Sequence, residues 1–422
     1  MLQTNRRAFL AMATTAALLS TSAAGTALAA DINLTLMIWD PAQKAGVQMA
    51  VDAFEAAHPN IAVSLEQVPQ DQYYVKLDAS LGAGEGPDVM WQSSKASYYV
   101  DGGALEPLDA YMAKDGLSLA GYKKVIADLY SLGGHQYGIP KDFDAWTFVY
   151  NASLLKDLGI AAPSANWTWE DMVRIAGEVK EKRTSSAVVP LYYNYSFNNG
   201  VASLVHALGS SVIADGQGRM SSPEGIQALG MIKALQDSGL ILKVADSTDF
   251  NPVNALLSGK LALAEIPSWN LSLLSKSDAP AGTFGVVHLP AVNGSWANDT
   301  NGLSYVMNVN SRHKEESWEL IKFLTSDAGA ALHAQGGAAL PANTAPEARA
   351  AFVATNGKLA GLEAALDAAS AQSYLRTTTA HPKVLSAMPQ ISSAVMGEFY
   401  SDALSASDAA QRIDALLNGA LR

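Results

Sequence analysis

The feature that most constrains the fold is a strand–helix–strand pattern within residues 32–65. Residues 32–39 (INLTLMIW) are mostly apolar, as in a buried strand. Between residues 47 and 54, apolar side chains recur at helical spacing, and Pro59 follows. Large apolar side chains then occupy every second position, at Ile61, Val63 and Leu65, as in a second strand. Two strands joined by a helix form a βαβ unit with a parallel, right-handed crossover, so the sequence predicts an α/β fold.

The alternation of helices and strands continues along the chain. Thr168–Asp171 has the sequence of a capping box, and Ser222-Pro223 is typical of a helix start. Further helices are predicted at 72–81 and 315–324, and further strands at 88–91, 261–266, 284–287 and 303–309. After residue 29 the chain is longer than one typical core, and it has no internal repeat or long linker. We therefore expect two domains joined by short crossings.

Residues 1–29 have the composition of an export signal. Arg6 and Arg7 precede an apolar run, Ala8–Leu19, that is too short to span a bilayer as a helix. Ala27-Leu28-Ala29 then offers a small-x-small cleavage site. The two arginines also fit a twin-arginine signal, the alternative being an ordinary signal for unfolded export. Both routes lead out of the cytoplasm.

Charge and cysteine content exclude several classes of partner and chemistry. The formal net charge is −12, and removal of residues 1–29 leaves 26 basic against 40 acidic residues. That balance argues against nucleic acid and anionic membranes as partners. The chain has no cysteine, which excludes disulfides, thiolate metal sites and a lipid anchor at the cleavage site. We expect the periplasm of a two-membrane bacterium, with secretion as the alternative.

Known catalytic and cofactor motifs are missing from the sequence. The seven histidines are scattered without a His-x-x-x-His pair, and there is no Gly-x-Ser-x-Gly elbow. The glycines at 82, 84 and 86 follow a predicted helix and precede a strand, the reverse of a phosphate-binding loop. The sequence therefore predicts no cofactor and no metal.

Carboxylates and aromatic residues are the remaining candidates for a site. Asp142 and Asp144 lie two apart on a predicted extended segment and would share one face, which would suit a glycosidase or a sugar-binding site. Aromatic residues repeatedly adjoin polar ones, as sugar recognition requires, although a single tryptophan is as often in the core. These positions are the pairs Trp39-Asp40, Trp91-Gln92 and Trp269-Asn270, the segments Phe143–Trp146 and Tyr192–Tyr195, and Trp296.

Eight ordered segments give the chain a family resemblance. It resembles the extracellular solute-binding proteins of ABC importers, in the sugar-binding branch that includes maltose-binding protein. The segments are 36–39 (LMIW), 54–63 (FEAAHPNIAV), 84–89 (GEGPDV), 103–108 (GALEPL), 137–140 (YGIP) with 149–151 (VYN), 167–171 (WTWED), 257–263 (LSGKLAL) with Trp269, and 317–326 (SWELIKFLTS). Each is short, but their order is that of the family.

The resemblance implies a two-lobed periplasmic binding protein of type II, with a ligand cleft between lobes joined by hinge strands. It places lobe one at 30–141 and 297–345, and lobe two at 142–296 and 346–422. The implied function is capture of a mono- or oligosaccharide and delivery to ABC permease subunits in the membrane, by a monomer without catalytic activity. A secreted glycosidase and a binding protein for a non-sugar solute such as a polyamine are the alternatives.

The resemblance also implies eleven ligand-binding residues. A twelfth, Arg376, is proposed from the chemistry of its own side chain. Lys95-Ala96 stands where maltose-binding protein has an acid and an arginine, so that protein's sugar geometry does not transfer. Trp269 matches a tryptophan that stacks on sugar. Arg376, in a threonine-rich loop, could clamp a carboxylate or a hydroxyl pair. The residues implied by the family are Asp40, Gln43, Lys44, Gln92, Ser94, Lys95, Asp144, Asn199 (with its neighbours Phe197 and Asn198), Trp269, Asn301 and Gly302.

Overall fold

A computed structural model describes residues 31–247 and 249–422. The predicted export signal, residues 1–29, lies outside the described residues, as does residue 30, with which lobe one was predicted to begin. In the described part of the chain, no helix is both long and apolar enough to cross a membrane.

The elements alternate as an α/β fold requires. The strands of three or more residues are β1 (Ile32–Ile38), β2 (Ile61–Gln67), β3 (Val89–Gln92), β4 (Gly138–Pro140), β5 (Trp146–Asn151), β6 (Val189–Tyr192), β7 (Leu261–Pro267), β8 (Phe284–Val287), β9 (Asn298–Thr300), β10 (Ser304–Met307) and β11 (Ser373–Leu375).

The helices cover both faces of the sheets. They are α1 (Lys44–Ala57), α2 (Gln70–Gly82), α3 (Ala96–Asp101), α4 (Asp109–Asp115), α5 (Lys124–Ala127), α6 (Ala152–Asp157), α7 (Trp169–Lys182), α8 (Ala202–Ala207), α9 (Pro223–Asp237), α10 (Pro252–Leu257), α11 (Leu271–Ser275), α12 (Lys314–Thr325), α13 (Asp327–Gln335), α14 (Pro346–Thr355), α15 (Leu362–Ala371), α16 (Thr377–Ala380), α17 (Met388–Gln390), α18 (Met396–Tyr400) and α19 (Ala406–Leu421).

The first sheet has the strand order β2-β1-β3-β10-β4. Strands β1 and β2 are parallel, with Ile32 opposite Ile61, and β3 is parallel to β1. The predicted βαβ unit is therefore confirmed. Its helix α1 buries the predicted apolar face, from Val47 to Phe54, against the sheet. Strand β10 returns from late in the sequence and pairs antiparallel with both β3 and β4.

The second sheet has the order β8-β5-β7-β6. Strands β6 and β7 are parallel, and β5 runs antiparallel to β7 and β8. Helix α7 begins with the predicted capping box, because the Thr168 hydroxyl accepts from the Asp171 amide and the Asp171 carboxylate accepts from the Thr168 amide. The first sheet has a core of its own, and the two faces of the second sheet pack in separate clusters. Two sheets with separate cores agree with the predicted two-lobed α/β fold.

Three chain segments run side by side between the two sheets. Residues 141–145 lead from β4 to β5, residues 301–303 lead from β9 to β10, and the segment around Leu340 leads from α13 to α14. Backbone hydrogen bonds join the Asp144 amide to the Asn301 carbonyl at 2.8 Å and the Phe143 amide to the Leu340 carbonyl at 3.0 Å. The predicted lobe limits near residues 141, 296 and 345 stay a proposal, which these crossings support.

Candidate functional site

A cavity of about 550 Å³ lies where the two sheets face each other. Both sheets and the crossing segments contribute to it. Its lining residues are Trp39, Asp40, Pro41, Gln43, Gln67, Pro69, Gln70, Ser93, Asp142, Phe143, Asp144, Ser268, Trp269, Asn270, Asn301, Leu303, Ala338, Leu340 and Arg376. We call this cavity the cleft.

The first side of the cleft is formed where the parallel strands of the first sheet end. Trp39 and Asp40 follow β1, Gln67 closes β2, and Ser93 follows β3. In open α/β sheets the crevice beyond the carboxyl ends of the strands is where ligands bind, because loops from neighbouring strands converge there. The Asp40 carboxylate accepts hydrogen bonds from the Ala42 amide at 2.9 Å and the Gln43 side chain at 3.1 Å.

Aromatic packing fixes the tryptophan on this side. The Trp39 ring meets Trp91 edge-on at 5.3 Å and Tyr73 at 4.9 Å between centroids, and only 8% of the residue is exposed. Edge-to-face contacts of this kind add to the energy of apolar burial. Trp39 is therefore packed in the core and contributes only a small exposed surface to the cleft.

A buried cation lies behind the first side. Lys141 forms an ion pair with Asp142, donates to the Gln43 amide oxygen at 2.8 Å and lies 3.9 Å from the Trp91 ring centroid. Burial lowers the pKa of Lys141, and the adjacent Asp142 carboxylate opposes that shift. His333 contacts the same Gln43 oxygen at 3.1 Å. Burial holds the pKa of His333 well below its usual value, so its ring is neutral.

The second side of the cleft carries the exposed aromatic surface. Ser268, Trp269 and Asn270 follow directly after β7. The half-buried Trp269 ring stands edge-on to Trp146, with 5.5 Å between centroids. That contact orients the indole while leaving part of its surface to the cleft.

Arg376 joins three distant parts of the chain on the second side. Its guanidinium donates to Asp144 at 3.0 Å and to Asp299 at 2.9 Å, and its backbone amide donates to the Thr300 carbonyl at 2.9 Å. The Asp299 side chain is fully buried and also accepts from Asn199 at 2.5 Å. The predicted clamp on a carboxylate is therefore made with carboxylates of the protein itself.

Carboxyl groups on this side hold their protons more tightly than in water. Burial raises the pKa of Asp144 to about 7; Asp142 and Asp299 reinforce the shift, and Arg376 opposes it. Burial also raises the pKa of Asp299, again against the pull of Arg376. Glu265 on β7 has its pKa raised by burial to about 8. It accepts a hydrogen bond from the Asn194 amide at 3.0 Å.

Six of the twelve predicted site residues line the cleft together. They come from both sheets and from the crossings between them. These residues are Asp40, Gln43, Asp144, Trp269, Asn301 and Arg376.

The other six do not line the cleft, and their contact with a ligand stays a prediction. Lys44 is exposed at the start of α1, Ser94 is half-buried, and Lys95 lies 4.2 Å from the centroid of the Tyr74 ring. Gln92 is fully buried, and neither atom of its amide has a hydrogen-bond partner among the described residues. The remaining two support the cleft from behind: Asn199 holds Asp299, and the Gly302 carbonyl accepts from Tyr130 at 2.6 Å.

Sequence reasoning missed several lining residues on the first side. Gln67 ends β2, Pro69 and Gln70 follow it, and Ser93 follows β3. The missed signal was the end of the second predicted strand, since the loops after neighbouring parallel strands meet at one sheet edge. In the described ranges, no group of three or more histidine and acidic side chains is placed to hold a metal ion.

The sequence of this chain matches one protein family and several individual proteins. The family described as bacterial extracellular solute-binding proteins matches residues 39–331. A Brucella abortus protein described provisionally as a binding protein is 28% identical over 328 residues, which cover 74% of this chain and 76% of the relative. The lactose-binding protein of Rhizobium radiobacter is 24% identical over 331 residues, covering 75% of this chain and 74% of the relative.

Solved structures share the fold over nearly the whole chain. The GacH receptor of Streptomyces glaucescens, known unliganded and with acarbose, has a TM-score of 0.80 at 20% identity, covering 93% of this chain and 98% of the receptor. An ABC substrate-binding protein of Listeria monocytogenes in complex with cycloalternan has a TM-score of 0.79 at 19% identity, covering 92% of this chain and 98% of that protein. These likenesses confirm the two-lobed α/β fold.

Proposed function

Since this chain belongs to the family of bacterial extracellular solute-binding proteins, we propose that it is the substrate-binding subunit of an ABC importer and captures a mono- or oligosaccharide. The observation that carries the proposal is the composition of the cleft. A half-buried indole, Trp269, lies beside carboxylate, amide and hydroxyl side chains from both sheets.

The chemistry of sugars matches such a surface. A sugar ring has apolar C–H faces and a polar rim, so it needs a flat aromatic surface beside hydrogen-bonding groups. Trp269 supplies the flat surface, while Asp40 and Asn301 supply an acceptor and an amide. The names of the relatives support a sugar, since lactose, acarbose and cycloalternan are all carbohydrates.

The proposed mechanism is closure around the ligand. A ligand that contacts both sides of the cleft does so only in the closed form, so binding shifts the population toward that form. The closed monomer then docks on the permease subunits in the membrane. The periplasm is the proposed location, and residues 1–29 are the proposed export signal.

The proposal includes no catalysis. Asp142 and Asp144 are each engaged by a cation of the protein, Lys141 and Arg376 respectively. The raised pKa of Asp144 is also a property that a general acid needs, so turnover has to be tested directly. We expect no hydrolysis of aryl glycosides by the wild type or by Asp144→Asn. Turnover that Asp144→Asn abolishes would establish a glycosidase.

Isothermal titration calorimetry tests the binding proposal. The mature chain is titrated with neutral mono- and oligosaccharides, amino sugars, sugar acids, polyols and polyamines. We expect saturable heat with at least one sugar. Binding of polyamines alone would replace the proposed ligand class, and no binding across the panel would refute the proposal.

A further inference from the structure

The charges around the cleft point to a more specific ligand. We infer that the cleft selects its sugar by charge: a sugar with a protonated amine binds more tightly than its neutral counterpart, and one with a carboxylate is rejected. This inference rests on the proposed function, because it concerns the choice among sugars.

Carboxylates outnumber cations at the cleft. Asp40, Asp142 and Asp144 line it, whereas Arg376 is its one lining cation among the described residues. Behind the lining, Asp299 adds a fourth carboxylate and Lys141 a second cation. The cluster of these six groups therefore holds two more acidic than basic side chains. Burial raises the pKa of Asp144 to about 7, so this carboxyl is only partly ionised near neutral pH. Asp40, which lines the cleft without an ion pair to a cation of the described residues, therefore carries much of the negative charge that low-dielectric walls concentrate on a ligand.

Both cations are already bound to carboxylates of the protein. The Arg376 guanidinium divides its donors between Asp144 and Asp299. The Lys141 side chain is 1% exposed and is shared between Asp142 and Gln43. A ligand carboxylate would have to take a donor from one of these pairs and leave a buried carboxylate without its partner, which costs several kcal/mol.

Two other lysines lie near the cleft without lining it. The Lys95 ammonium is 4.2 Å from the centroid of the Tyr74 ring, and the Lys123 ammonium is 3.9 Å from that of Phe143. Phe143 itself lines the cleft, with Lys123 against its ring. Burial lowers the pKa of Lys123 to about 8. Lys44 is exposed one residue after Gln43 and does not line the cleft either. The lining itself thus presents a ligand anion with none of these three lysines.

Asp40 is the carboxylate with capacity left for a ligand. It is half-buried and accepts only from the neighbouring Ala42 amide and Gln43 side chain. Within the described residues, no lysine, arginine or histidine forms an ion pair with it. A carboxylate has about four lone-pair sites, so Asp40 can accept two further hydrogen bonds. An ammonium group donates stronger, charge-assisted bonds than a hydroxyl does.

The test uses sugars that differ at one substituent. Glucose, glucosamine and glucuronate, their galactose counterparts, and the corresponding β-1,4-linked disaccharides are titrated at 20 mM and 300 mM salt. We expect the amine to bind about tenfold more tightly than the neutral sugar, the margin of a charge-assisted over a neutral hydrogen bond. High salt should reduce that margin, and the uronates should not bind.

A substitution links the preference to one residue. Asp40→Asn should remove most of the amine preference while keeping binding of the neutral sugar measurable. Asp157→Asn removes the same charge from an exposed position outside the cleft lining and should leave the preference unchanged. Equal or tighter binding of uronates, or an unchanged preference in Asp40→Asn, would overturn the inference alone. If neither the neutral sugars, nor the amino sugars, nor the uronates bind, both this inference and the proposed sugar-binding function are refuted.

Discussion

On the first side of the cleft, lining residues follow directly after β1, β2 and β3, whereas the second side is assembled from segments far apart in the chain. Asp40 and Gln43 lie within five residues of the end of β1. On the second side, Arg376 meets Asp144 across a sequence separation of 232 residues. One side is thus positioned by local strand–helix geometry, and the other by contacts that only the finished fold brings together.

The two sides also differ in electrostatics. The first side hides one lysine, Lys141, whose pKa burial lowers. The second side holds three carboxyl groups whose pKa burial raises, Asp144, Asp299 and Glu265, and Arg376 pairs with the first two. We therefore expect apolar packing to stabilise the first side, whereas the second side should depend on an ion network.

On the second side, the largest expected effect is that of Arg376→Ala. Removal of the guanidinium leaves Asp144 and Asp299 without a cation, so we expect a loss of about 3–5 kcal/mol of unfolding free energy. Urea denaturation measures it. Arg349→Ala is the control, because Arg349 pairs with the exposed Asp367 and should change stability little. Equal losses in the two variants would show that the ion network does not stabilise the second side.

The two tryptophans of the cleft should respond differently to truncation. Trp269→Ala should weaken sugar binding by about 1–3 kcal/mol, the scale of burying one large side chain. Trp39→Ala should instead lower the unfolding free energy by about 3–5 kcal/mol, because Trp39 is packed in an aromatic core. Calorimetry and urea denaturation of both variants separate these effects. Unchanged affinity in Trp269→Ala would assign that residue to the core as well.

Glu265 should make stability fall as pH rises. In the unfolded chain this carboxyl ionises near pH 4.3, whereas the folded protein holds the proton up to about pH 8. Relative to Glu265→Gln, the wild type should therefore lose about 1 kcal/mol per pH unit between pH 5 and 8. His333 makes an opposite contribution, because its lowered pKa makes stability rise as the pH increases toward 6.5. This contribution is the same in wild type and variant, so it cancels in the difference between their unfolding free energies.

The check is urea denaturation of wild type and variant across that range. Glu181→Gln serves as the control, since Glu181 is exposed and should show no pH-dependent difference. A constant difference between wild type and Glu265→Gln would show that Glu265 ionises normally in the fold.

The smallest effect should come from an exposed residue on the first side. Gln70 lines the cleft at the start of α2, so Gln70→Ala should weaken binding by about 0.5–1.5 kcal/mol, the value of one hydrogen bond. Gln72, exposed in the same helical turn but outside the lining, provides the matched control. Equal affinities of the two variants would remove Gln70 from the site.

Hydrophobic periodicity predicted the first sheet well because its signals are local. The bounds of β1, α1 and β2 and their parallel pairing follow from spacing within residues 32–67. The cap of α7 was predictable for the same reason, since both partners lie three residues apart. Strand β10 was predicted as a strand, but its place between β3 and β4 depends on long-range pairing.

The second side could be predicted only in part. The sequence named Asp144 and Arg376 separately, but not their pairing or the role of Asp299, because no local pattern links residues so far apart. Sequence also does not distinguish a core tryptophan from an exposed one. Trp91 is fully buried and Trp296 stacks on His288, whereas Trp269 faces the cleft.

The position of β10 sets the order in which the molecule can be completed. Until residue 307 has been synthesised, β3 and β4 each lack the neighbour that β10 provides, and unpaired strand edges favour aggregation. Arg376 is made later still, so a growing chain acquires its ion network only near the end of translation. The side of the cleft that carries Arg376 is thereby completed only when almost the entire polypeptide exists.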